Sequence, residues 1–168
     1  NVQGFSSLSN SVFENPAALY RVYLGSAALF HTTFMEEVGV NNGSVAFRLR
    51  SGVLGIGYMG STIDGIYSTN VDTAAEIYST GTFSEKREVI KVSYAVSQSD
   101  SLHIGFSGSY YSMTMDTVKG TGINVDFGAI IDLDVLDLSF TAKNILSSMK
   151  VDYKDTASLS DSFLDASG

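Results

Sequence analysis

Several residue types that carry chemistry or cross-links are scarce in this chain of 168 residues. It has no cysteine, which excludes disulfide bonds and thiolate metal sites. Ten Lys and Arg against eighteen Asp and Glu give a formal net charge of -8. Because phosphate binding needs a basic surface, this charge argues against nucleic acid as a partner. No run of about eighteen apolar residues occurs, so the sequence excludes a transmembrane helix.

Signals for catalysis or a cofactor are equally weak. His31 and His103 are the only histidines, too few for a metal site without carboxylate help. No nucleophile elbow accompanies the serines. Residues 55–60, GIGYMG, match the dinucleotide fingerprint, but the residues after them do not begin a helix. We therefore expect no enzyme, no metal and no cofactor, and we expect these glycines to face a crowded interior.

Alternation of apolar and polar residues is the pattern that the sequence does have. Residues 120–146 contain two such segments joined by a short acidic turn; in the first, Ile123, Val125 and Phe127 alternate with Asn124 and Asp126. The two arms are longer than the usual strand of about 5 to 6 residues. They approach the roughly 9 to 11 residues that a tilted strand needs to cross a bilayer. Similar segments predict five more antiparallel strands, at residues 19–33, 44–50, 54–63, 88–96 and 101–115.

The connections between these strands differ in length. Residues 34–43, which close in the turn signal Asn41-Asn42-Gly43, and residues 65–87 form long connections, whereas those after the second, fourth and sixth strands are short. This alternation is typical of outer-membrane barrels, with short periplasmic turns and long extracellular loops. Five apolar residues of the 65–87 loop are candidates either to capture a hydrophobic ligand or partner or to pack over the barrel mouth: Ile66, Tyr67, Ile77, Tyr78 and Phe83.

The predicted fold class is all-β, an antiparallel transmembrane β-barrel of the outer-membrane type, with a soluble β-sandwich as the alternative. Long strands, a second face with few charges, and tyrosines toward the strand ends favour the membrane. Because bacterial barrels close with an even number of strands, seven strands predict about half of a barrel of about fourteen. Residues 1–18 would be a hatch-like segment, 19–146 the strands, and 147–168 an extracellular loop or a linker to missing strands. The seventh strand would then have an unpaired edge.

Charged residues with the same parity predict the character of the inward face. Arg48, Arg50 and Lys91 share the inward parity with Asp126. The favoured interpretation is an interior in which these charges neutralise one another. The alternative is a position that receives the carboxylate of an amphipathic ligand.

Three segments of the chain resemble the FadL-like outer-membrane proteins, including their PorV branch: ENPAAL at residues 14–19, GTGINVDFGA at 120–129 and FTAKNIL at 140–146. The resemblance implies a barrel of about fourteen strands in a bacterial outer membrane, in contact with membrane lipid and with its N-terminus periplasmic. It implies that Asn15, Pro16 and Ala17 belong to a hatch that plugs the barrel.

The same resemblance implies a function. FadL members pass fatty acids and other hydrophobic compounds, so uptake of a hydrophobic small molecule is the leading expectation. PorV members serve type IX protein secretion, so a secretion or surface-assembly role with a protein partner at the extracellular loops is the first alternative. A soluble or structural β-sheet protein is the second.

Overall fold

A computed structural model describes residues 8–34, 38–71, 77–115, 118–133 and 135–153. The structure contains one antiparallel sheet, in which seven strands follow one another in sequence order. The strands are β1 (Gly25–Phe34), β2 (Val38–Leu49), β3 (Gly52–Val71), β4 (Ile77–Ser97), β5 (Leu102–Met115), β6 (Val118–Asp132) and β7 (Asp137–Tyr153). The all-β antiparallel prediction is therefore confirmed. Within the described residues the sheet is not closed into a barrel: β1 and β7 are its edges, as expected for the seventh strand.

Ahead of the sheet runs a short helical stretch, residues 8–22, called here the N-terminal segment. It contains a 3₁₀ turn (Leu8–Asn10), α1 (Ser11–Glu14) and a second 3₁₀ helix (Pro16–Arg21). Val12, Leu19 and Val22 are fully buried where the segment packs on one face of the sheet. No helix among the described residues is long and apolar enough to cross a membrane.

The prediction that the first strand begins at residue 19 is wrong. Residues 16–21 are helical because Pro16 stands at the first position, where its missing N–H costs nothing, and the Asn15 side chain accepts a hydrogen bond from the Ala17 N–H. Tyr20 and Val22, which were predicted to share one face of a strand, instead belong to the N-terminal segment.

The turn predicted at Asn41-Asn42-Gly43 is also wrong, because these residues lie inside β2. Asn41 is opposite His31, and their side chains are 2.7 Å apart (His31 Nδ1 to Asn41 Oδ1). Gly43 is opposite Leu29, whose Cδ1 lies 3.5 Å from where a Cβ on Gly43 would be. Cross-strand packing therefore outweighs the local turn preference.

The long loop predicted at residues 65–87 is wrong for residues 65–71 and 77–87, which belong to β3 and β4; residues 72–76 lie outside the described part of the chain. Ile66 is opposite Phe83, and pairing continues to Val71 opposite Ile77. Register shifts after Ile63 and after Ser68, together with the positive φ of Gly65, interrupt the period of two, which hid the strands from sequence analysis. Residues 64–71 and 77–83 thus form a two-stranded ribbon that projects beyond β2 and β5.

The seventh strand is longer than predicted. It continues to Tyr153, so residues 147–153 are strand rather than loop or linker. A bulge opposite Asp126, with Asn144 at φ 59, inserts two extra residues and keeps the parity of the strand. Beyond it the outward residues Ser148 and Lys150 are polar, which disguises this end of the strand. Residues 154–168, the rest of the predicted loop, lie outside the described part of the chain.

Candidate functional site

The two faces of the sheet differ in chemistry. The inner face is the one that carries the N-terminal segment. It is built of small and polar residues near the short connections between β2 and β3, β4 and β5, and β6 and β7. This end is called the turn end, and the other the ribbon end. Ser93, Ser107 and Asp126 form one cross-strand row there, and all three are buried.

Glycines let the N-terminal segment approach the inner face closely. A Cβ on Gly55 would lie 2.9 Å from Leu19 Cδ1, and one on Gly57 would lie 2.9 Å from Phe13 Cε1. On β5, a Cβ on Gly105 would lie 2.7 Å from the Pro16 carbonyl oxygen. The G-x-G part of the dinucleotide-like stretch is therefore explained by packing, as expected.

The predicted hatch residues anchor this contact. The Asn15 side-chain NH₂ donates to Ser139 Oγ at 2.8 Å and to the Phe140 carbonyl at 3.4 Å. Its Oδ1 accepts from the Ala17 N–H at 3.0 Å. Asn15, Pro16 and Ala17 are all buried. Their role in a hatch stays a prediction, and nothing in the sequence pattern indicated which strands they would contact.

A second anchor joins the end of the N-terminal segment to the turn end of the sheet. The Tyr20 ring stacks on His103 with centroids 3.5 Å apart, and the Tyr20 hydroxyl donates to Asp132. Arg21 forms an ion pair with Asp137 at 2.9 Å. Burial, and then the hydrogen bond to Asp132, raise the pKa of the Tyr20 phenol above its ordinary value. Sequence analysis missed this cluster because its residues are far apart in the chain.

Of the four predicted lumen residues, the fold brings two together. Lys91 and Asp126 form a buried ion pair. Asp126 also accepts hydrogen bonds from Ser107 Oγ at 3.2 Å, Asn124 Nδ2 at 2.9 Å and the Asn144 backbone N–H at 2.9 Å. This agrees with the interpretation of a mutually neutralised interior.

The two arginines lie elsewhere. Arg48 faces the N-terminal segment and donates to the backbone carbonyls of Val22, at 2.8 Å, and Tyr20. Arg50 lies in the exposed turn before β3. Because Arg50 is not in a strand, the alternation of strand residues does not assign its side chain to the inner face. Arg50 and Lys91 therefore do not form a cluster.

Toward the ribbon end, the inner face has exposed apolar side chains beside the ion pair of Arg87 and Glu85. Met59, Val89, Tyr111 and Met149 lie in one cross-strand row, with Met113 in the next. These five residues are called the Met patch. A concavity of about 480 Å³ opens over part of it, lined by Val89, Tyr111, Met113, Gly122, Ser147 and Met149 among others. Sequence analysis missed the patch, although the methionines share the inward parity.

The predicted capture residues are near this end but not on a loop. Ile66 and Phe83 face one another across the ribbon and are half-buried, and Tyr67 is exposed. Ile77 and Tyr78 belong to β4, but their side chains lie outside the described residues.

The outer face is apolar and solvent-exposed. Three complete cross-strand rows contain no Asp, Glu, Lys or Arg; the middle one is Ala27, Val45, Ile56, Val92, Gly108, Val125 and Leu146. Phe106, Ile123 and Phe140 are 53%, 60% and 61% exposed. Toward the ribbon end these rows stop at a row called here the polar row: His31, Asn41, Gly60, Glu88, Ser112, Thr121 and Lys150.

Within the described ranges there is no group of three or more His, Asp or Glu side chains placed to hold a metal ion. No protein-family model matches the chain, and neither a curated protein nor a solved structure is similar to it. The site therefore has to be interpreted from its own geometry.

Proposed function

We propose that this sheet is the wall of a β-barrel in a bacterial outer membrane, and that the barrel passes hydrophobic compounds. The observation that carries the proposal is the outer face, where three uncharged rows end at the polar row. From Ile123 to Ile131, the outer side chains of β6 cover about 27 Å along the strand. Tilted as barrel strands are, that length covers most of an apolar band about 25 Å tall.

Details of the outer face support contact with lipid. Tyr58 and Tyr110 lie in the row next to the polar row, and the Tyr58 hydroxyl donates to Glu88 Oε1 at 2.8 Å. Tyrosines at this depth are typical of the girdles that flank an apolar band. Soluble monomers rarely expose contiguous apolar patches larger than a few hundred Å². Seven strands of exposed Leu, Ile, Val and Phe therefore favour lipid over water.

The inner face supports a hydrophobic cargo. Its covered half is polar, as lumens are, but the open half carries the Met patch. Methionine side chains are flexible and polarizable, so they adapt to apolar ligands of varied shape. A channel for ions or sugars needs polar groups at its entrance rather than an apolar surface.

The projecting ribbon favours one alternative. Residues 64–71 and 77–83 extend beyond the strands that flank them, which leaves their outer edges unpaired within the described residues. Unpaired edges are templates for strand addition by a protein partner. A secretion or surface-assembly role with a partner at the ribbon end is therefore the second candidate.

Membrane insertion is tested with one matched pair of variants on β6. Val125 is in the middle uncharged row and Thr121 is in the polar row, on the same strand and the same face. Val125→Arg should destabilise insertion into phospholipid vesicles by about 2–4 kcal/mol and Thr121→Arg by about 0–1 kcal/mol. Equal effects, or a monomeric protein in buffer without detergent, would overturn the barrel.

Passage is tested in Gram-negative cells that produce the protein. The entry rate of the hydrophobic dye N-phenyl-1-naphthylamine should rise with expression of the wild type and of Thr121→Arg, but not with Val125→Arg. A protein that inserts without changing dye entry would favour the secretion role.

A further inference from the structure

Two buried polar groups lie side by side where the polar half of the inner face meets the Met patch. Ser109 on β5 is directly opposite Asn124 on β6. The next row toward the ribbon end contains Tyr111 and Gly122, which line the concavity. On β7, Ser147 is opposite Asn124 and lines the same concavity. The Ser109–Asn124 pair therefore lies in the row next to the lining of the concavity.

Each of the two side chains has one polar atom without a hydrogen-bond partner among the residues that the structure describes. Ser109 and Asn124 are 5% and 4% exposed, and the unpartnered atoms are Ser109 Oγ and Asn124 Oδ1. The Asn124 amide NH₂ is used, because it donates to Asp126 Oδ1 at 2.9 Å. The amide group is thereby oriented, and the atom that remains is an acceptor. An unpaired buried polar atom is costly, so a hydrogen-bond donor from beyond the described residues would stabilise this pair.

The charges nearby decide which donor fits. Lys91, opposite Ser109 on β4, is paired with Asp126, and Arg87 at the Met patch is paired with Glu85. Arg87 lies two rows farther toward the ribbon end than Ser109, so the cation beside the Ser109–Asn124 pair is Lys91, which is already neutralised. A carboxylate also has no proton to give to Asn124 Oδ1. A hydroxyl can donate to Asn124 Oδ1 and accept from Ser109 Oγ–H. Hydrogen-bonding capacity therefore selects a neutral head group.

We propose that the Ser109–Asn124 pair binds the hydroxyl of a neutral amphiphile, such as a long-chain alcohol, whose alkyl chain lies on the Met patch. The proposal rests on the proposed function, because it names the class of compound that the barrel accepts. It differs from the expectation of a fatty acid that the sequence resemblance implies. The alkyl chain contributes affinity, and the Ser109–Asn124 pair contributes selectivity between head groups.

The test measures binding of radiolabelled 1-dodecanol, dodecanoate and dodecane by equilibrium dialysis, with the full chain held in amphipol. Dodecanol should bind at least tenfold more tightly than either other probe. Ser109→Ala should reduce dodecanol affinity at least fivefold and leave dodecane affinity unchanged. Ser107→Ala is the matched control, since it lies two residues away on the same face, and its hydroxyl is already used by Asp126. It should leave dodecanol affinity unchanged.

A second measurement needs no variant. The methyl ether of dodecanol cannot donate a hydrogen bond, so the wild type should bind it no better than dodecane. Equal affinity for alcohol, ether and carboxylate, or tighter binding of dodecanoate, would overturn the selective site and leave hydrophobic passage standing. Failure of all the probes to bind would instead overturn the proposed function itself.

Discussion

Gly105 offers the sharpest test of how the N-terminal segment is held on the sheet. A Cβ at this position would lie 2.7 Å from the Pro16 carbonyl oxygen and would also collide with the Ala17 backbone nitrogen. Both are backbone atoms, so no side-chain rotation relieves the clash. Gly105→Ala must therefore lift the segment or displace β5. Overpacking of this kind costs about 1–3 kcal/mol.

The matched control is Gly108→Ala. Gly108 is on the same strand but on the outer face, and no atom lies within 4 Å of where its Cβ would be. Both variants remove a glycine from a strand, so the effect on the unfolded chain is the same and cancels in the comparison. The difference between them reports the contact with the N-terminal segment alone.

Cysteine labelling measures the effect, because the chain has no cysteine of its own. Val12 belongs to the N-terminal segment and is fully buried, so Val12→Cys introduces one protected thiol. A cost of about 1–3 kcal/mol on docking raises the undocked population about 5- to 150-fold. The maleimide labelling rate should rise by that factor in the Gly105→Ala background and stay unchanged in the Gly108→Ala background. Equal rates in the two backgrounds would refute the close packing of the segment on β5.

Three further predictions concern the anchors and the buried ion pair. Asn15→Ala should weaken docking by about 0.5–2 kcal/mol in the same labelling assay, whereas Ser139→Ala, which removes one of its hydrogen bonds, should weaken it less. Lys91→Met leaves Asp126 buried without its cation, so the free energy of unfolding in detergent should fall by about 3–5 kcal/mol; adding Asp126→Asn should recover part of the loss. Because the pKa of Tyr20 is raised in the folded chain, its contribution is fully present below the unfolded phenol's pKa and is lost as pH rises through the folded value. Docking should therefore weaken in strong alkali, and Tyr20→Phe should remove that dependence while other groups continue to titrate.

The sequence predicted the two-faced strands well where the period of two is uninterrupted. In β6 the outward set that contains Ile123 and the inward set that contains Asn124 and Asp126 lie on the expected faces, exposed and buried respectively. Burial against the N-terminal segment enforces this register, because a slip of one residue would exchange the faces. The same parity grouped Lys91 with Asp126, but it did not distinguish Lys91 from Arg48 and Arg50 as the partner of Asp126.

The pattern failed wherever the strands contain bulges or extra contacts. Gly65 adopts a positive φ, and the register shifts after Ile63 and Ser68 break the alternation, so strand was taken for loop on β3 and β4. On β7 the bulge at Asn144 keeps the parity, but the outward residues beyond it, such as Lys150, are polar. The unpartnered Ser109 and Asn124 were also invisible, because a missing hydrogen bond is a property of three-dimensional neighbours. The period of two predicts which residues share a face of the sheet, but it does not predict which other residues cover that face.

The N-terminal segment covers the inner face across the whole width of the described sheet. Its elements contact β1 to β6, and Asn15 reaches β7 through Ser139. A compound that has entered over the Met patch therefore meets this segment before it reaches the turn end along these strands. If passage follows this wall, loosening the segment should speed it: Gly105→Ala should raise the rate of dye entry, and Gly108→Ala should not. Equal entry rates in the two variants, together with the expected difference in Val12→Cys labelling, would place the route away from the surface that the segment covers.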